Sequence, residues 1–218
     1  LGISIQYKVQ KTPTGLPEAF VIGEEFINGD SVCLILGDNI FHSDTFINKY
    51  LLPSLVNVKN TVFGCYVRDP ERYGVVEFDK NNNVISIEEK PSNPKSNYAV
   101  TGLYIFDNRA SSIAKSLSLS ERNETEIVDM LNCYLKLGNL QVKLFGRGVA
   151  WLDTGTHYSL HEASKYIEVL ENRQGLKIGC IEEIAYRKGY ITKKKLLELT
   201  KPLSNNNYGK YLIKVLNL

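Results

Sequence analysis

No stretch of this 218-residue chain is apolar over the roughly 18 residues that a bilayer-crossing helix needs, so no transmembrane segment is expected. Neither sign of charge predominates. The formal net charge is +2, which gives no reason to invoke nucleic acid and leaves a small anionic substrate open. The one basic cluster, Lys193–Lys195, reads as a solvated helix face. Cysteine is sparse: Cys33, Cys65, Cys133 and Cys180 fall at none of the spacings of a zinc site or a Cys-x-x-Cys redox pair. That usage fits a reducing, cytoplasmic compartment. Cys33 lies in an apolar run and counts there as a small hydrophobe. His42, His157 and His161 make no metal pattern; the last two have helical spacing but lack the Glu of an H-E-x-x-H helix. There is no P-loop and no G-x-S-x-G element. No signal peptide opens the chain, and Leu1 leads straight into a strand-like run.

What is present is an alternation of strand and helix text. Ile3–Val9 alternates apolar and polar residues as a strand does. Leu16, Ala19, Phe20 and Ile27 then recur at helical spacing, weakened by Gly23. Val32–Leu36 is continuous, branched and apolar, the form of a parallel strand buried on both faces. Phe46–Leu55 predicts an amphipathic helix and Thr61–Val67 a strand. Tyr73–Phe78, Val84–Glu88 and Tyr98–Phe106 predict three more strands, the first two joined by a hairpin loop at 79–83. Glu124–Leu137 reads as a helix, Leu140–Phe145 as a strand, and Trp151–Asp153 as the end of a short one. From His157 onward the text is helical. The expectation is an α/β fold with a mainly parallel central sheet over 1–174 and a C-terminal helical subdomain over 175–218. Ligands of such sheets lie at the carboxyl ends of strands.

Candidate chemistry does stand at strand ends. Asp38, in Leu36-Gly37-Asp38-Asn39, follows a strand; Asp153, in Trp151-Leu152-Asp153-Thr154-Gly155-Thr156, ends another. Each could be an ordinary turn or helix-capping residue. Together they are what a hard cation such as Mg²⁺ uses, since it takes few protein oxygens. Lys90, in Glu88-Glu89-Lys90-Pro91, is a compact charge suited to a phosphate monoester, beside a Glu that could accept from sugar hydroxyls. Strand neighbours face opposite ways, so Glu88 and Glu89 cannot share one job. Gln10, before Thr12-Pro13-Thr14-Gly15, carries an amide able to pair with a base edge.

Taken in order, the segments Gln10–Leu16, Leu36–Asn39, Asp69–Val76, Ile87–Pro91, Lys95–Tyr104, Gly146–Gly148, Trp151–Thr156 and Glu171–Gly175 closely resemble bacterial glucose-1-phosphate thymidylyltransferases, of the sugar-1-phosphate nucleotidylyltransferase family, over essentially the whole chain. The resemblance implies a Rossmann-like three-layer nucleotidyltransferase fold. It also implies transfer from dTTP to glucose 1-phosphate, giving dTDP-glucose and pyrophosphate, in dTDP-rhamnose and polysaccharide biosynthesis. By the family pattern, Gln10 and Gly15 contact thymine, and Asp38 and Asp153 hold Mg²⁺. Lys90 binds the sugar phosphate and Glu89 the sugar hydroxyls. Tyr73, Gly74, Val100, Thr101 and Trp151 line the sugar pocket. Arg147 belongs to a second, regulatory nucleotide site, and the C-terminal helices build a homo-oligomer, a tetramer by the resemblance. Nucleic acid and membrane are not among the implied partners. The family's Gly-rich triphosphate loop, of the form G-x-G-T-R-L-x-P-x-T, has no match here. The chain is therefore expected to lack the family's N-terminal segment and to form no product by itself. Another base or hexose, or a non-catalytic nucleotide-sugar-binding role, stays open.

Overall fold

The computed structural model describes residues 1–56, 59–81 and 83–217. By compactness these fall into two units, Lys8–Gly155 and a second made of Leu1–Tyr7 with Thr156–Leu218.

In the larger unit the strands are β1 (Val32–Ile35), β2 (Asn39–His42), β3 (Thr61–Tyr66), β4 (Gly74–Phe78), β5 (Val84–Glu89), β6 (Tyr98–Phe106), β7 (Gln141–Leu144) and β8 (Ala150–Asp153). Its helices are α1 (Glu18–Ile22), α2 (Glu24–Ile27), α3 (Leu52–Val56), which continues a π turn over Ile47–Leu51, α4 (Ala110–Ser116) and α5 (Ile127–Lys136). Six strands form one sheet in the order β5-β4-β6-β3-β7, with β1 also paired to β6; β2 and β8 make a separate two-stranded ribbon.

β6 dominates because it is buried along nearly its whole nine-residue length and presents apolar side chains to both faces. Tyr104 and Phe106 turn to a cluster with Phe20, Val128, Leu131 and Tyr134, from α1 and α5. Leu103 and Ile105 turn to Phe46, Tyr50, Phe63 and Phe145 on the opposite face. The Phe106 and Tyr134 rings stack at 5.0 Å and 6°, a contact worth about 0.5–1.5 kcal/mol beyond area burial. Helix, sheet and aromatic layer thus give the expected α/β class.

The sheet is mixed. β3 and β7 run parallel, whereas β1, β3 and β4 all run antiparallel to β6. The expectation of a mainly parallel sheet is corrected accordingly, because periodicity reports which faces are buried and not strand direction. β1 is also not buried on both faces: it alternates, with Cys33 exposed and Ile35 56% exposed. Ile3–Val9 forms no strand, and Ile3, Ile5, Tyr7 and Val9 are all exposed. Alternation suits a segment to one face of a sheet but supplies no neighbour to bond. The hairpin loop expected at 79–83 includes Asn82, which lies outside the described residues; Asp79 N–H donates to Asn83 O at 2.9 Å.

The smaller unit contains α6 (His157–Gln174), α7 (Ile181–Arg187), α8 (Lys193–Thr200) and α9 (Asn207–Val215). Thr156 caps α6, its hydroxyl accepting from Ser159 N–H at 3.1 Å in a reciprocal capping box. Gly175, left-handed at φ 68°, ends it. Cys180, Ala185, Leu196, Tyr211, Leu212 and Val215 form a small core around the last three helices. No helix among the described residues is long and apolar enough to cross a membrane.

Candidate active site

The site is built on a break in the pairing of β6. β3 follows one edge of that strand. The other edge is shared: β1 pairs with Leu103–Phe106 and β4 meets Ala99. Between them, Val100–Gly102 has no strand on that edge among the described residues. The backbone groups of Gly102 are met instead from the segment after β1. Leu36 N–H donates to Gly102 O at 2.9 Å, and Gly102 N–H donates to Asn39 Oδ1 at 3.0 Å.

Asp38 and Asp153 come together here. β2 pairs antiparallel with β8, placing Asn39 opposite Asp153. Thr154 donates both its N–H and its hydroxyl to the Asp38 carbonyl, each at 2.8 Å. Gly155 then leaves an open cradle. A Cβ built on it would lie 3.3 Å from Asp153 Oδ1 and 3.7 Å from Asp38 Oδ2. Both carboxylates therefore face one small space, and α6 is capped by Thr156, so neither is spent as a helix cap. Arg72, from the 3₁₀ turn Pro70–Arg72, reaches to 4.0 Å from Asp153 while bonding Asp69 at 2.9 Å.

The sugar-assigned residues form two touching sets. Gly74 lies opposite Glu89 in the β4–β5 register. A Cβ on Gly74 would lie 3.5 Å from Glu89 Oε2, 3.7 Å from Val100 Cβ and 3.0 Å from Val128 Cγ2. A side chain at this position would press on Val128 and fill the space next to that carboxylate. Tyr73 and Trp151 meet edge to face at 5.1 Å, and Trp151 Nε1–H donates to Asn39 Oδ1 at 2.7 Å. Burial pushes the Tyr73 hydroxyl up, which keeps it protonated. Thr101 is fully buried, and its hydroxyl has no hydrogen-bond partner among the described residues; such a group costs about 1–3 kcal/mol.

Lys90 adopts φ 43°, the left-handed region that a non-glycine residue enters at a cost of about 1–3 kcal/mol. Its N–H donates to the Tyr73 carbonyl at 3.0 Å, and its ammonium stands 3.6 Å from Glu89 Oε1. The same Glu89 oxygen lies 3.3 Å from Arg122 Nη2, which also bonds Glu126 at 2.7 Å. Two cations thus flank one carboxylate.

Gln10 and Gly15 are joined to each other: Gln10 Nε2 donates to Gly15 O at 3.1 Å and to Glu18 Oε2 at 2.6 Å. Hydrogen bonds from Thr14 and Gln10 lower the Glu18 pKa. Gly15, at φ 114°, is pressed onto Thr125, whose carbonyl a Cβ would meet at 2.0 Å. Arg147 stands apart from these sets, exposed on the turn between β7 and β8, where Gly146 N–H donates to the Tyr50 hydroxyl at 3.0 Å.

Three residues of this region carried no role in the sequence reading. Asn39 lies in a motif read for the charge of Asp38, and Arg72 in one where the resemblance points to Tyr73 and Gly74. Arg122 lay in the polar loop Glu121-Arg122-Asn123-Glu124, where composition marks nothing.

Comparison with known proteins follows the same lines. A family model described as nucleotidyl transferase matches residues 1–169. A glucose-1-phosphate thymidylyltransferase of Neisseria meningitidis is 52% identical over 215 residues, covering 99% of this chain and 75% of the relative. One from Xanthomonas campestris is 52% identical over 211 residues, covering 97% and 72%. A solved Bacillus anthracis structure, described as a glucose-1-phosphate thymidylyltransferase in complex with a sucrose, superposes with a TM-score of 0.67 at 40% identity, covering 76% of this chain and 65% of the other. A UDP-glucose pyrophosphorylase at 23% identity, also with a TM-score of 0.67, shares the fold.

Proposed function

This chain belongs to the glucose-1-phosphate thymidylyltransferases, within the nucleotidyl transferase family, and on that premise we propose that the notch on β6 is where dTDP-glucose is made from dTTP and glucose 1-phosphate. A phosphate oxygen of the sugar phosphate attacks the α-phosphorus of dTTP. The bond from that phosphorus to the bridging oxygen of pyrophosphate breaks, and pyrophosphate leaves. The protein's work is alignment and charge stabilisation.

The observation that carries this reading is the convergence of Asp38 and Asp153 on the cradle over Gly155. Among the described residues no group of three acidic, His or Cys side chains is gathered. Two carboxylates with open space fit Mg²⁺, which takes one or two protein oxygens and leaves the rest to water and phosphate. When bound, Mg²⁺ would supply charge neutralisation to the phosphate oxygens. Lys90 is assigned to the sugar phosphate and Glu89 to the sugar hydroxyls, with Tyr73, Gly74, Val100, Thr101 and Trp151 around the hexose. Gln10 and Gly15 are assigned to the thymine edge. Beyond the reaction, the proposal extends to a cytoplasmic homotetramer serving dTDP-rhamnose and polysaccharide synthesis, a regulatory nucleotide at Arg147, and residues 175–218 as a helical extension to a nucleotidyltransferase domain over 1–174.

The test is a grid of nucleoside triphosphates against hexose 1-phosphates, with and without Mg²⁺, scored by pyrophosphate release in the enzyme that carries these residues. The expected result is a maximum at dTTP with glucose 1-phosphate that requires the metal. Equal use of dTTP, UTP and CTP, or full turnover in a chelator, would overturn the assignment.

A further inference from the structure

Resting on the reading of the notch as the nucleotidyl-transfer site, we infer that Asn39 is a positioning residue that chooses which oxygen of Asp38 faces the metal and ties that choice to the sugar wall at Trp151. One side chain makes three contacts on three segments. Its Oδ1 accepts from Trp151 Nε1–H at 2.7 Å on β8 and from Gly102 N–H at 3.0 Å on β6. Its Nδ2 donates to Asp38 Oδ1 at 2.8 Å.

The orientation of the amide is dictated by its partners. An indole N–H and a backbone N–H can only donate, so the oxygen must face them; a carboxylate can only accept, so the NH₂ must face Asp38. A carboxylate at position 39 keeps the first pair and loses the donor. An aliphatic side chain loses all three. The space has been shaped to this group: a Cβ on Gly102 would lie 2.6 Å from Asn39 Oδ1, so residue 102 must be glycine for the amide to reach β6.

The consequence for the carboxylate is specific. With Oδ1 held by Asn39, it is Oδ2 that faces the Gly155 cradle. Groups behind a metal ligand that fix its orientation typically change metal affinity or activity by about 10–100-fold when removed. The same amide holds the indole against which Tyr73 packs, so loss of Asn39 should disturb metal use and sugar use together.

Trp151 is the sole tryptophan of these 218 residues, so emission excited on the red edge of the indole band, beyond tyrosine absorption, reports on it among them. The experiment compares Asn39→Ala and Asn39→Asp with the parent by Trp emission without ligands, by the Mg²⁺ concentration giving half-maximal pyrophosphate release, and by KM for glucose 1-phosphate and dTTP. Asn39→Ala is expected to shift the emission maximum, to raise half-saturating Mg²⁺ about tenfold or more, and to raise KM for the sugar phosphate more than for dTTP. Asn39→Asp is expected to keep emission near the parent's, since the indole acceptor remains, yet to lose turnover at saturating Mg²⁺ about tenfold or more. Unchanged Mg²⁺ dependence in Asn39→Ala, or parental turnover in Asn39→Asp, overturns the inference; if the alanine variant does not fold, the near-isosteric aspartate variant decides. The parent in these assays is the enzyme that carries these residues together with the family's Gly-rich loop; if that parent releases no pyrophosphate from any pair of substrates, the function reading fails instead, a result distinct from an active parent with insensitive variants.

Discussion

Asp107 directly follows β6 and Asp38 closely follows β1, yet the two carboxylates are employed in opposite ways. Asp107 accepts from Arg109 through its backbone N–H at 3.0 Å and its Nη2 at 2.6 Å, from Asn60 Nδ2 at 3.1 Å and from the Tyr134 hydroxyl at 3.2 Å. Asp107 N–H in turn donates to Asn60 Oδ1 at 2.7 Å. The group joins the starts of β3 and α4 to α5 and the end of β6. Burial pushes its carboxyl up, but the hydrogen bonds from Arg109 and Asn60 outweigh that and hold it at about 2. Asp38 is exposed, one oxygen held by Asn39 and the other turned to an open cradle beside a second carboxylate. A strand-end Asp with its lone pairs occupied is structural; one with a free oxygen and an acidic neighbour has capacity left for a ligand.

The sharpest break of this contrast is functional. Asp38→Asn and Asp153→Asn should each lower turnover on the order of 10²–10³, the loss of roughly 3–4 kcal/mol of transition-state stabilisation. Because Asp38 is exposed, its variant should keep stability within about 0.5 kcal/mol. Pyrophosphate release at limiting Mg²⁺, with urea unfolding beside it, checks both halves; near-parental turnover in both variants would return these residues to turn chemistry.

The converse experiment comes next in size. Asp107→Ala leaves Asn60, Arg109 and Tyr134 donors without their acceptor, and should cost about 2–3 kcal/mol of stability. An unfolding midpoint unchanged from the parent would remove Asp107 from its structural place.

This difference was only half legible in the sequence. Asp38 stands out in the sequence because it follows an apolar strand through Gly37, and Asp153 because it ends a short apolar run before small residues; the structure brings the two together. Asp107 stands in Tyr104-Ile105-Phe106-Asp107-Asn108, a setting just as suggestive, and nothing local says that Asn60 will complete it. The β2–β8 ribbon that unites the two acidic residues was missed for a related reason. Asn39-Ile40-Phe41-His42 is four residues long, and its partner lies more than a hundred positions away, so local pattern is silent. α4 was missed because Ala110–Ser116 is rich in serine, which competes with helix through its own backbone bonds. Strand β6 is readable as a nine-residue run rich in β-branched and aromatic residues between turn-rich segments, and helix α5 from apolar residues recurring at helical spacing over ten.

The smallest effect is the response of Asp107 to acid. A carboxyl depressed in the folded state contributes stability that is complete above its unfolded value near 4 and is lost as pH falls through the folded value. For Asp107 that window runs downward from about 4 towards about 2. Stability of the parent should therefore fall more steeply over this range than that of Asp107→Asn, measured by unfolding at stepped pH. Parallel slopes would show that its partners do not hold the carboxylate as described.

The segment Ile3–Val9 bears on handling more than on catalysis. Seven consecutive residues without Pro or Gly alternate β-forming side chains with polar ones around a single charge, Lys8, and Ile3, Ile5, Tyr7 and Val9 stand in water. That is the composition from which chains stack into cross-β assemblies, and solvent exposure removes the protection that a native sheet would give. Concentrated samples should scatter light progressively and bind thioflavin, and Ile5→Lys, which interrupts the apolar face with charge, should delay both.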